Sequence, residues 1–139
     1  MMGLRGFIVA IAFIIFAFLI IGHAKAQPWD ASGNEVRVIG GRPQGCPFRF
    51  CGCEASIYLF GKIIPALNLA SNWIRKFPRA NPAPRMAAAR RGHVFVLLRH
   101  IDGNNWLVHD GNSGGGKTRV HVRSIKGYVV VDPSQRAGL

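Results

Sequence analysis

Arg91-Gly92-His93-Val94-Phe95-Val96-Leu97-Leu98 and, after a turn, Trp106-Leu107-Val108-His109-Asp110-Gly111-Asn112 read as the two arms of one β-hairpin. Each arm is rich in apolar and β-branched residues, the composition of strands with a buried face. Between them Asp102-Gly103 is a strong hairpin signal, because both residues tolerate φ > 0. A two-residue loop there pairs Ile101 with Asn104 and sets His93 opposite Asn112, with Asp110 diagonally beside it on the same face. A four-residue loop keeps that parity; a three-residue loop destroys it. An imidazole beside a carboxylate and an amide is the orienting half of a nucleophile–His–Asx constellation.

Working outward, the chain runs from helical to strand-like patterns. Val36–Ile39 is a short strand candidate within a polar, glycine-rich segment, residues 27–45. Cys53–Phe60 reads as a short helix stopped by Gly61, and Ala66–Phe77 as a second, with Pro65 at its start and Pro78 forcing its end. Leu69, Trp73 and Phe77 recur at helical spacing as its buried stripe. Strand patterns follow at 86–89, 93–101, 104–110, 118–123 and 127–132, and 133–139 reads as a frayed tail. The expectation is an α+β fold in a single domain spanning residues 46–132, with N-terminal helices packed on a small antiparallel sheet.

The first 26 residues bear on destination. Arg5 precedes an unbroken apolar run, Phe7–Gly22, and Ala24 and Ala26 stand three and one before Gln27. This is the pattern of a secretory signal peptide covering 1–26, with an uncleaved membrane anchor as the alternative. Either reading places the domain outside the cytoplasm, secreted or periplasmic. Less Arg5 and Lys25, the chain keeps 16 Lys and Arg against 6 Asp and Glu. Such a basic balance suits a polyanionic partner: cell-wall polymer first, anionic lipid if the N-terminal segment is retained, and nucleic acid least, since no nucleic-acid motif is present. Pairs such as Arg75-Lys76 and Arg90-Arg91 read as solvated edges.

Three cysteines, Cys46, Cys51 and Cys53, fall within eight residues. An odd number in an oxidising compartment implies one disulfide and one thiol. Cys51 and Cys53 are badly spaced to bridge each other, so Cys46–Cys51 is the expected pair. Cys53 is then free at the start of a helix, where the dipole and unpaired N–H groups favour a thiolate. The alternative is an inert, buried thiol. Cys-x4-Cys-x-Cys is not a familiar structural-zinc spacing.

Together these residues resemble the CHAP branch of the papain-like cysteine amidases, related to the NlpC/P60 peptidases. The resemblance lies in Gly52-Cys53 before Ile57-Tyr58, Asn72-Trp73, Gly92-His93-Val94, and Asp110-Gly111-Asn112 before Gly114. It implies a papain-like fold, Cys53 as nucleophile, His93 as base and Asp110 or Asn112 as orienter, with no cofactor. It also implies hydrolysis of amide bonds in peptidoglycan. The chain departs from the family at Pro84–Ala89, where a Pro-x-x-Gly-Asp strand is shortened. The rival expectation is a non-catalytic basic domain that grips wall polymer or a partner protein.

Gly111-Asn112-Ser113-Gly114-Gly115-Gly116-Lys117-Thr118 matches the nucleotide-binding P-loop pattern letter for letter. A P-loop needs a helix directly after it to hold phosphate, whereas Arg119–Arg123 alternates as a strand does, so no nucleotide is expected. The glycines read instead as a loop near the site, with Lys117 and Trp106 as candidate substrate contacts. His109 is out of phase with His93; His100 and His121 read as surface or packing residues; Glu54 reads as a helix N-terminal charge.

Overall fold

The computed structural model describes residues 36–135. The signal or anchor expected over 1–26, residues 27–35 of the polar segment and the last four residues lie outside that range. Among the described residues no helix is long and apolar enough to cross a membrane.

Six antiparallel strands form one sheet in the order β1-β5-β4-β3-β2-β6. They are β1 (Val36–Gly40), β2 (Ala87–Arg90), β3 (His93–Asp102), β4 (Asn105–Ser113), β5 (Lys117–Ser124) and β6 (Val129–Val131). Two short helices, α1 (Cys51–Phe60) and α2 (Ala70–Lys76), lie between β1 and β2 in the chain. This overturns the expectation of N-terminal helices on a small sheet: the sheet is the larger part, and the first described element is a strand. Two edge strands account for the difference. β1 falls on the Val36–Ile39 strand candidate, and its pairing with β5 makes it an edge of the sheet. β6 pairs with β2, whose three alanines are buried while Arg90 is exposed.

The second helix is also shorter than its pattern predicts. Pro65–Leu67 makes a separate 3-10 turn, and Leu69 is extended (ψ 117°) and 55 % exposed. The break lets Leu67 enter the core, where its carbonyl accepts the Trp73 Nε1–H at 2.9 Å. The buried stripe is therefore Leu67, Ala70, Trp73 and Phe77, packed with Cys51 and Ala55 of α1 and Val94 and Val96 of β3. On the other face Phe95, Leu97, Trp106 and Val108 form a second cluster. Trp106 lies there beside His100 and Ile125. It stands four residues before Asp110 on β4, about 13 Å along an extended strand.

The β3–β4 hairpin turns on Gly103-Asn104, with Asp102 opposite Asn105, one residue later than Asp102-Gly103 suggests. Two register shifts then restore Leu97 opposite Val108 and Val96 opposite His109. The site end of the hairpin thus has the register that brings His93 and Asp110 onto one face. The β4–β5 turn is Gly114-Gly115-Gly116, all at positive φ, and the chain continues directly into β5. The helix a P-loop requires is a strand here.

Candidate active site

Cys51, not Cys53, faces the histidine. α1 begins at Cys51, two residues earlier than its pattern suggests, with Phe50 as N-cap. Residues two apart on a helix project to nearly opposite sides. Cys51 joins Ala55 and Leu59 on the side facing the sheet, whereas Cys53 packs with Phe50, Ile57 and Ile63. The disulfide accordingly joins Cys46 to Cys53, across a Cα–Cα distance of 5.7 Å, and Cys51 holds the free thiol. Both the expected Cys46–Cys51 pairing and the expected free Cys53 are corrected.

Two glycines allow the thiol to meet the sheet. A Cβ at Gly52 would stand 2.1 Å from the Leu67 carbonyl oxygen. One at Gly111 would stand 2.5 Å from Glu54 Cβ and 3.6 Å from Cys51 Cα. The end of β4 therefore runs directly against the first turn of α1. Glu54 is anchored in the same place, accepting a hydrogen bond from His109 Nε2 at 2.8 Å. His109 is stacked on Tyr58 with ring centroids 4.1 Å apart.

His93 opens β3 and is mostly buried. Its Nε2–H donates to Asp110 Oδ1 at 2.5 Å, leaving Nδ1 as the nitrogen available to Cys51. Asp110 is fully buried, and its other oxygen, Oδ2, accepts from His121 Nε2 at 2.7 Å and Arg123 Nη1 at 2.8 Å. Arg123 is held in turn by the Tyr128 hydroxyl, 3.1 Å from Nη2, and by the Phe95 ring face, 5.0 Å from its Cζ. Such a carboxylate is buried but well compensated. Burial pushes its pKa up, but hydrogen bonds from His121 and His93, the His93 charge and the Arg123 hydrogen bond hold it well below the usual carboxylate range.

That fixed negative charge bears on the titration of His93. Burial pushes His93 down, but the hydrogen bonds to Asp110 and Cys51 and their charges outweigh it and raise the imidazole to about 9. Burial likewise pushes the Cys51 thiol up. The His93 hydrogen bond and charge, with the backbone N–H groups of Val94 and Gly52, overcome this and bring it below its ordinary value. Both shifts favour a thiolate beside an imidazolium, which a third, ionised residue orients.

Of the residues singled out from sequence, His93 and Asp110 are brought together. Cys53 is in the disulfide. Asn112 is at φ 53° in the irregular end of β4, lining a groove with Phe48, Phe50 and Gly115. Lys117 is exposed at the start of β5, and Trp106 lies in the far apolar cluster. His121 and Arg123 were missed. Pairing Asp110 with Arg119 puts residues 119, 121 and 123 on the Asp110 face, so closing the β4–β5 hairpin at the three glycines would have revealed both. Among the described residues no cluster of three or more His, Cys, Asp or Glu side chains is arranged to hold a metal.

Neither a family model, nor a curated protein, nor a solved structure matches this chain.

Proposed function

We propose that the chain is a cysteine hydrolase of amide bonds, with Cys51 as nucleophile, His93 as acid and base, and Asp110 as the residue that fixes the imidazole. The observation that carries this reading is the continuous chain of contacts from a lowered-pKa thiol through His93 to a buried, triply held carboxylate. A structural thiol needs no such arrangement, and an inert one is not shifted downward by a histidine.

The chemistry follows from the pair. The Cys51 thiolate adds to the amide carbonyl, and the resulting oxyanion is met by backbone N–H groups of the first turn of α1, which have no intrahelical acceptor. His93 gives its Nδ1 proton to the departing amine as the C–N bond breaks, leaving a thioester on Cys51. The neutral imidazole then takes a proton from water, whose oxygen attacks the thioester, releasing a carboxylic acid and restoring the ion pair. Asp110 stays ionised throughout and holds Nε2–H, so Nδ1 remains directed at sulfur.

Peptidoglycan stem peptides, or their junction with the sugar, are the substrate we propose. The resemblance to CHAP-type amidases, the basic charge and the N-terminal export pattern support that choice. A purely binding role is less well supported. Cys53 is indeed disulfide-bonded, but a second thiol occupies the position beside His93. The test is digestion of purified peptidoglycan with fragments read by mass spectrometry. New muropeptide ends should appear with the native protein and the Cys53→Ala variant, and vanish in Cys51→Ala and His93→Ala. Undiminished cleavage by Cys51→Ala would remove the mechanism.

A further inference from the structure

Three guanidinium groups reach one open groove from three separate elements. Arg49 comes from the loop before α1, Arg75 from the last turn of α2 and Arg91 from the β2–β3 turn, with Leu69, Ser71 and Gly92 completing the wall. Gly92 is bonded to His93, and Arg49 stands two residues before Cys51, so the groove is walled by the segments that lead into the thiol and the imidazole. All three arginines are exposed. Arg75 donates to a neutral acceptor, Asn72 Oδ1, at 3.3 Å.

The described residues contain four carboxylates, and each is held elsewhere. Glu54 accepts from His109, Asp102 from Asn105, Asp132 from Ser134, and Asp110 from His93, His121 and Arg123. Three like charges therefore converge beside a fourth, the His93 imidazolium, with none of these acids to offset them. Mutual repulsion disfavours that arrangement until an anion enters. Guanidinium groups suit a carboxylate in particular, through paired N–H donors. On a peptide-like substrate the anion at hand is a carboxylate.

We infer that this groove binds a free carboxylate flanking the scissile amide, so that Cys51 selects amides next to an acidic group. The inference rests on Cys51 being the nucleophile. The exposed Leu69 supplies an apolar wall for the carbon chain that bears the charge.

Iodoacetate and iodoacetamide test this, because they deliver nearly the same electrophile with and without a carboxylate. Their rates at Cys51 are measured by peptide mapping at about 10 mM salt, where screening is weak, with the urea-unfolded chain as reference. The native iodoacetate-to-iodoacetamide ratio should exceed that of the unfolded chain. For charges about 8 Å apart in water it should fall about twofold with each of Arg49→Gln, Arg75→Gln and Arg91→Gln, and about tenfold in the triple variant. Lys126→Gln, at the far end of the sheet, should leave the ratio unaltered. A triple variant that labels fast with both reagents at the native ratio overturns the groove and leaves the nucleophile standing. Labelling by iodoacetamide no faster than in the unfolded chain overturns the nucleophile, and the groove with it.

Discussion

Replacing His93 with Gln tests the thiolate directly, and its magnitude can be worked from the geometry. Raising the imidazole from 6.5 to about 9 corresponds to roughly 3.4 kcal/mol of preference for its charged form. Asp110 and Cys51 share in that preference, each through a hydrogen bond and a charge. The Cys51 part of that energy acts reciprocally on the thiol, because an interaction between two ionised groups belongs to both. In His93→Gln that energy is gone while burial still opposes ionisation, so the thiol should return to its ordinary value of 9.0 or above. The thiolate fraction at pH 7 should then fall by more than about twofold. Alkylation by iodoacetamide from pH 5 to 10, with Cys51 located by peptide mapping, reads this out. The native profile should have its midpoint below 9.0, and the variant's should lie at or above it. Midpoints at or above 9.0 in both proteins, with rates at pH 7 within about twofold, would refute the coupling.

Hydrolysis by the native protein should be bell-shaped in pH. The rising limb follows Cys51 ionisation, and activity is lost as pH climbs through about 9, where His93 gives up the proton it owes the leaving amine. Asp110→Asn should cost about 3–5 kcal/mol in urea unfolding, because it leaves Arg123 and His121 around a neutral amide in a buried position; a loss under about 1 kcal/mol would mean the network is not stabilising. Gly111→Ala should cost about 1–3 kcal/mol and slow Cys51 alkylation at pH 7, since its Cβ would lie 2.5 Å from Glu54 and force α1 away from β4. The double variant Cys46→Ala/Cys53→Ala should lose about 2 kcal/mol of stability with its short loop opened, yet keep the native pH profile of Cys51; a shifted profile would make the disulfide part of the site.

What the chain reveals in advance is mostly local. Alternation between His93 and Asn112 was enough to place the imidazole and the carboxylate together, because a hairpin register depends on a turn and a period of two. It survived a turn displaced by one residue only because compensating shifts occur before the site. The extent of the sheet was not readable in this way. β1 and β6 are short, and their pairing with β5 and β2 is decided by partners distant in sequence, which local patterning does not encode. The second helix misled for a related reason: periodicity ran through Leu69, but burying Leu67 and satisfying Trp73 Nε1 required a break there.

The choice between Cys51 and Cys53 shows how an error of two residues in a helix boundary reverses a chemical assignment. Starting the helix at Cys53 puts that thiol at the N-terminus, where helix dipole arguments favour it. Starting it at Cys51 moves the favoured position back and turns Cys53 about 200° away, given about 100° per residue. A signal for the earlier start was present. Cys51, Ala55 and Leu59 repeat every four residues, the spacing of a buried stripe, and Cys53 with Ile57 forms a separate one. Only the first stripe continues into the sheet core, so only its cysteine can reach β3. The second faces the preceding loop, where Cys46 waits within bonding distance. Disulfide and nucleophile are thus assigned by the same rotation of α1. The bridge between Cys53 and Cys46 thus lies on the side of α1 away from His93, and neither bridging sulfur takes part in the chemistry.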